Sequence, residues 1–237
     1  MRYTKVGDIA LVRIPEGEEQ TEQEIAHAIC ERDTSVKVVL RQFGRYGEFR
    51  KQKVKVLIGD RTDTIHTEYG VRIHIDLQET YFSEREKTER QRLKNVVVPH
   101  EKILVLFAGV GVIPLMIAKG KDVNITAVEK NEKAFSLMKE NIEMNSLEAL
   151  INPILQDAYT FEGGAFDRVI VPQPYRHHSF EYVKSLIKVK GFLHYYTWVT
   201  SQQDTPAFLG FRTVGTKTLF SYAPGVWKIC IDMQKIQ

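Results

Sequence analysis

Cysteine is almost missing from this chain: Cys30 and Cys230 are the only two in 237 residues. One bridge is the most they could form and nothing marks an oxidising compartment, so both read as reduced thiols and a disulfide scaffold is excluded. Two thiols cannot hold a metal by themselves, and the seven histidines show no ligand spacing beside them. His177-His178, the nearest pair, reads as surface or pocket residues, so no metal is expected. Long apolar runs are missing too. The stretches 103–106 and 110–118 are short, and Gly111 and Pro114 interrupt the second, so no membrane partner is expected. An export signal is also lacking, because Asp8 and Arg13 break the apolar residues near the start and acids follow; a cytoplasmic location is expected. Nor is there an excess of one charge: 33 basic and 30 acidic side chains leave a formal net charge of +3, which alone names no polyanionic partner. Internal duplication and low-complexity segments are absent.

What is present is an uneven distribution of charge. Between residues 37 and 59 stand Lys37, Arg41, Arg45, Arg50, Lys51, Lys53 and Lys55 against Glu48 alone. Strands that brought these side chains to one face would contact several phosphates; a solvated basic face is the alternative. The first part of the chain reads as a small α+β domain over residues 1–80. Ile9-Ala10-Leu11-Val12 is a strand, and Thr21 with Glu24 three positions on opens a helix toward Cys30. Strands follow at 35–40, 48–58, 62–68 and 71–76, punctuated by Gly44, Gly47, Gly59-Asp60 and Gly70. A charged helix in 81–100 connects it to residues 101–237. There the pattern changes to short apolar strands alternating with helices, with strands at 103–107, 124–128, 151–155, 168–171 and 191–198. Helices are expected at 112–118, 131–144 and 180–187, and the tail from 213 to 232 supplies two closing antiparallel strands. The fold class is α/β, an open, mostly parallel Rossmann-like sheet.

Phe107-Ala108-Gly109-Val110-Gly111 lies between the first strand of that sheet and a helix. Glycines there let the backbone turn tightly and approach a ligand whose charge faces unsatisfied amides. A structural tight turn would look the same. A dinucleotide fingerprint wants a third glycine or alanine after two further residues, and Pro114 stands there instead. Glu129 ends the second strand, twenty residues beyond Gly109, where an acid can accept both ribose hydroxyls of an adenosine. Asp157 follows the third strand and could meet the adenine amino group. Three such groups at successive strand ends are more specific than any one of them.

With these residues stand further pieces: Gly7-Asp8-Ile9-Ala10, Gly47-Glu48-Phe49-Arg50, Ile65-His66-Thr67-Glu68-Tyr69-Gly70, Tyr81-Phe82-Ser83 and Thr88-Glu89-Arg90. Ala127-Val128-Glu129-Lys130-Asn131, Glu140-Asn141-Ile142-Glu143-Met144-Asn145, Asp167-Arg168-Val169-Ile170 and His194-Tyr195-Tyr196-Thr197 complete them. In this order they resemble the archaeal and eukaryotic tRNA methyltransferases that make N1-methylguanosine at position 37, and the related wybutosine-pathway aminocarboxypropyl transferase. The resemblance implies a class I methyltransferase-type domain, S-adenosylmethionine as cofactor and tRNA as partner. It implies a protein that is monomeric or has a helper, without the extra N-terminal module of larger members. Cofactor contacts would come from Phe107, Gly109, Gly111, Glu129, Lys130, Asp157 and Pro174. By the same resemblance Glu89 would take the proton from guanine N1 and Arg50 would stabilise charge on O6. Arg85, Gln173, Tyr175, Lys37, Arg41, Arg45, Lys51 and Lys53 would contact the RNA. Two positions depart from the pattern. Val105 replaces an aspartate, and Pro172 replaces the asparagine that orients the target base in methyl-transferring members. N1-methylguanosine formation ranks first, with aminocarboxypropyl transfer, or a weakened RNA-binding member, as alternatives.

Overall fold

The computed structural model describes residues 2–173, 181–201, 206 and 208–237. It divides into two compact units, Met1–Glu84 and Arg85–Gln237.

In the first unit, β1 (Tyr3–Val6), β2 (Ile9–Val12), β3 (Val38–Tyr46) and β4 (Lys51–Ile58) form a sheet in that order. β2 is apolar at every position and fully buried, as befits a strand covered on both faces. It pairs in parallel with β3, so the chain must cross over, and α1 (Glu22–Arg32) is that crossover. Ala26 and Ile29 of α1 pack on Val12, Val39 and Leu57. The helix starts differently from the expected capping box. Thr21 ends a 3-10 turn over Glu19–Thr21, and its hydroxyl donates back to the Glu18 carbonyl at 2.8 Å instead of capping α1. β5 (Asp63–Glu68) and β6 (Val71–Asp76) make a separate hairpin. Its two-residue loop, Tyr69-Gly70, has φ of +47° and +79°, the left-handed pair that matches strand twist.

The second unit begins with a 3-10 turn and α2 (Lys87–Val96), so the charged helix belongs to this unit and not to a connector. Then come β7 (Lys102–Leu106), α3 (Val112–Ala118), β8 (Asn124–Glu129), α4 (Glu132–Met144) and β9 (Ile151–Leu155). β10 (Phe166–Val171), α5 (Glu181–Leu186), β11 (Ile187–Val199), β12 (Phe211–Ala223) and β13 (Val226–Lys235) complete it. The seven strands lie in the order β12-β13-β11-β10-β7-β8-β9. Only β13 runs against the rest, antiparallel to both neighbours. This is the expected Rossmann-like sheet with its closing strands. Succession runs outward from β7 through β8 to β9, then returns to β10 on the other side. The order therefore reverses between β7 and β10, where an open α/β sheet leaves a crevice at its carboxyl ends. Leu104, Leu106, Val169, Val171, Leu193 and Ile231 are buried in the core that holds these central strands together. Among the described residues no helix is long and apolar enough to cross a membrane.

Candidate active site

The crevice is floored by the turn after β7. Phe107 carries φ +52° although it is not glycine, a conformation costing about 1–2 kcal/mol that the surrounding structure must impose. Its ring meets Tyr159 edge-on at 5.1 Å. Gly109 and Gly111 follow at φ +58° and +86°, for different reasons. A Cβ on Gly111 would lie 2.8 Å from Met138 Cγ, so this glycine is needed for packing of α4. A Cβ on Gly109 would meet nothing within 4 Å, and so points into open space where a ligand can approach backbone. The buried Asn141 of α4 fixes the turn from behind, its amide donating to the Val110 carbonyl at 3.0 Å.

Glu129 shapes the other wall. One carboxylate oxygen accepts the Gly109 N–H at 2.7 Å; the other accepts Lys130 and Asn131 N–H at 2.9 and 2.7 Å. Burial pushes its carboxyl above the usual range, only partly opposed by these amide donors. Asn131 then caps α4 through Lys133 and Ala134 N–H. Asp157 accepts Tyr159 N–H at 3.0 Å and pairs with Lys130 at 2.9 Å. The turn, Glu129 and Asp157 thus stand at the ends of β7, β8 and β9 as the sequence places them. The open space over Gly109 beside an inward-turned carboxylate fits an adenosine-type cofactor with ribose hydroxyls to donate.

Strand register extends the rim. Val171 pairs with Tyr195, Ile170 with Val105, and Leu106 with Val128, so one row across the sheet runs Glu129, Phe107, Pro172, Tyr196. Three strand spacings separate its ends, roughly 14 Å. Glu89 sits over the Tyr196 end. It is buried, accepts the Tyr196 hydroxyl at 2.6 Å, and is gripped by Arg92 at 2.7 and 2.6 Å. Arg92 reaches on to Asp232 at 2.6 and 3.2 Å; Asp232 accepts from His194 at 2.5 Å. His194 faces Arg168 at 2.6 Å, and Arg168 closes on Glu101 with two bonds of 2.8 Å. An arginine can only donate, so His194 Nε2 must accept and Nδ1–H must donate to Asp232. Burial holds this imidazole below its ordinary pKa despite the pull of Asp232.

His194, Cys230 and Asp232 offer ligand atoms within 4.8 Å of one another. Both ring nitrogens are already bonded, two guanidiniums share these atoms, and burial raises the Cys230 thiol well above its usual range. The ligand atoms of that cluster are occupied by its own hydrogen bonds. Of this row the sequence signalled Glu89 and, through motifs without an assigned role, Arg168, His194 and Tyr196. Arg92 is three residues from Glu89 on one helix, which helical spacing could have shown. Asp232, 140 residues from Arg92, carries no local signal.

Other expected site residues are placed less openly. Gln173 is buried, its Nε2 bonded to Tyr195 Oη at 2.5 Å. Arg85 donates to the Ser221 carbonyl at 2.7 Å and stacks on Phe220 at 4.0 Å. Val105 is wholly buried inside the sheet. Pro174 and Tyr175, with His177, His178 and Phe180, lie outside the described residues.

The basic run of the first unit divides in two. Arg41 is not an RNA contact: it is 2% exposed, bonded to Glu22 and the Ile14 carbonyl, and paired with Glu19 at 3.2 Å. A guanidinium enclosed by carboxylates at the foot of β3 cannot reach a phosphate. Lys51 pairs with Glu79 at 2.5 Å, and Lys37 donates to the Thr34 carbonyl at 2.9 Å. Farther along the β3–β4 hairpin the cations are exposed or half-buried and lie on rings. Arg45 and Arg50 stand 4.4 and 4.2 Å from Tyr81, and Lys53 5.8 Å from Phe43. Arg50 itself holds φ +53° at the hairpin end.

The model of the TRM5/TYW2 methyltransferase domain matches residues 64–209, and that of the TYW2 N-terminal domain matches residues 1–62. A Methanocaldococcus jannaschii protein named tRNA(Phe) (4-demethylwyosine(37)-C(7)) aminocarboxypropyltransferase is 31% identical, over 98% of this chain and 97% of its own. A Pyrococcus abyssi protein named tRNA (guanine(37)-N(1))-methyltransferase Trm5b is 32% identical, over 97% of this chain and 73% of its own. The solved structure of Pyrococcus horikoshii TYW2 in complex with MeSAdo superposes with a TM-score of 0.85 at 27% identity, covering 99% of this chain and 90% of that one.

Proposed function

Because this chain belongs to the TRM5/TYW2 family of tRNA-modifying methyltransferases, we propose that it binds S-adenosylmethionine and modifies the purine at position 37 of tRNA by aminocarboxypropyl transfer. The observation that carries the choice of group is the first unit. Residues 1–62 match the TYW2 N-terminal domain, and a relative named as an aminocarboxypropyltransferase is 31% identical over 98% of this chain. From the sequence, methyl transfer to guanine N1 ranks first; these matches reverse that order. Pro172, in place of the asparagine expected for methyl transfer, agrees.

Bound at this site, S-adenosylmethionine supplies an electrophilic carbon beside a sulfonium. Glu129 would take the ribose hydroxyls, with the Gly109 amide holding its carboxylate in place, and Asp157 with Lys130 would border the adenine. Glu89 would receive the proton that leaves the acceptor atom, a ring carbon in the first reading and guanine N1 in the second. Arg50 would meet a base oxygen, an assignment resting on its match to the family. The second reading, methyl transfer to N1, is favoured by Glu89 standing at the rim against Tyr196.

The test uses tRNA carrying guanosine or 4-demethylwyosine at position 37, with cofactor labelled separately in its methyl and aminocarboxypropyl groups. Aminocarboxypropyl label in the 4-demethylwyosine tRNA, with methylthioadenosine released, is expected. Methyl label in N1-methylguanosine would establish the second reading and overturn the first.

A further inference from the structure

The rim extends past Tyr196. Register along β11 and β13 pairs His194 with Asp232, Tyr196 with Cys230 and Trp198 with Lys228, so these six side chains share the face that carries α2. Phe220 of β12 is opposite Lys228 and joins them. Trp198 stands two residues, about 7 Å, beyond Tyr196 toward the carboxyl end of β11. There Arg85 and Glu86, from the turn before α2, reach across the strands. Lys228 is buried and donates to Glu86 at 2.7 Å. Its ammonium lies 5.5, 5.6 and 6.0 Å from the rings of Trp198, Tyr196 and Phe220, and a cation among ring faces holds those rings from below. Arg85 holds them from outside. Its bond of 2.7 Å to the Ser221 carbonyl keeps the guanidinium on the Phe220 ring at 4.0 Å. Tyr222 completes the group, meeting Trp198 edge-on at 6.0 Å and 46% exposed.

We propose that Trp198, Phe220 and Tyr222, with Arg85, are a stacking platform that seats a nucleoside adjacent to the target purine of tRNA. The inference rests on tRNA as the substrate and on the carboxyl-end crevice as the place of transfer. A target base must leave the stack of its neighbours to enter that crevice, and the neighbour then loses a stacking partner. Rings held rigid beside the crevice replace that partner. Every base has a π-face, so the platform would accept the neighbour whatever its identity. Charge favours a nucleic acid over an apolar protein segment. β12 and β13 carry Arg212, Lys217, Lys228 and Lys235 against Asp232, which Arg92 and His194 already hold. Cations interleaved with rings match phosphates joined to bases.

The test is binding of the full chain to tRNA, followed by fluorescence anisotropy with cofactor present, for wild type, Tyr222→Ala and Tyr222→Phe. Each protein is given intact tRNA and tRNA made abasic at the nucleotide before or after position 37. Tyr222→Ala should bind intact tRNA about tenfold more weakly at every salt concentration, with the salt slope unchanged, because a ring and not a cation is lost. Tyr222→Phe should bind as wild type does. Removing one of the two flanking bases should weaken wild type about tenfold, yet cost Tyr222→Ala little further, since both changes delete the same contact. Affinity for S-adenosylmethionine should be equal in all three proteins, which separates lost stacking from a loosened hairpin. Losses that add in full at both flanking positions would overturn the platform alone. So would Tyr222→Ala binding tRNA as wild type does, the result expected if these rings meet a protein instead. Wild type that bound no tRNA would overturn the substrate and the platform together. If Tyr222→Ala failed to fold, Tyr222→Thr, a good strand former without a ring, would decide by the same readings.

Discussion

Replacing Gly109 by alanine adds one methyl group, and the structure says where that methyl goes. Alanine at φ +58° costs about 1–2 kcal/mol in backbone strain, partly offset by the lower entropy of the unfolded chain. With nothing within 4 Å of the new Cβ there is no further packing cost, so the net loss should be about 1 kcal/mol. For a unit of this size that is a fall of roughly 3 °C in melting temperature. The same methyl occupies the space through which a ligand would reach the turn, so S-adenosylmethionine should bind at least about tenfold more weakly, about 1.4 kcal/mol. Gly111→Ala should behave in the opposite way. Its Cβ would sit 2.8 Å from Met138 Cγ, so overpacking of about 1–3 kcal/mol adds to the strain and stability falls most. Calorimetric titration of the cofactor and thermal melting, run on both variants, give the two quantities independently. If Gly109→Ala bound the cofactor as wild type does, the open space over the turn would not be the ligand site, and the assignment of Glu129 would fall with it.

Four further outcomes are expected. His194 is neutral in the fold with a depressed pKa, so it contributes full stability above its unfolded value near 6.5 and loses it as pH falls toward the lower folded value. The unfolding free energy of the wild type, from urea titrations, should therefore fall as pH drops below about 6.5, a dependence that His194→Gln should flatten; an unchanged pH dependence in that variant would contradict a neutral buried imidazole. Arg41→Ala should cost the first unit about 1–3 kcal/mol by leaving the buried Glu22 with Lys55 as its remaining cation, without altering the salt dependence of tRNA binding. Arg45→Ala with Lys53→Ala should do the reverse, lowering the salt slope by about one for each phosphate left without its cation. Asn141→Ala should cost about 1–3 kcal/mol and weaken cofactor binding through the freed Val110 carbonyl; unchanged affinity would show that the turn needs no support from α4.

The sequence determined those features whose cause is local. Alternation of short apolar runs with helices gave the βα order of the second unit, because burial on both faces forces a strand to be apolar throughout. The glycine turn and Glu129 were legible because a left-handed backbone and a strand-end acid leave marks within twenty residues. The basic run was legible as charge but not as surface. Arg41 and Lys53 look alike in sequence, and only the packing of α1 against the foot of β3 separates a structural ion pair from an exposed cation. Thr21 misled for a related reason: a preceding 3-10 turn consumed the hydroxyl that a capping box needs. Tertiary structure alone decided the surroundings of Glu89. Its partners come from α2 and β11, and Arg92 is shared with Asp232 of β13, the strand that enters the sheet last and antiparallel between residues far apart in the chain. Hydrogen bonds of that range follow from strand order and register, which no local periodicity encodes.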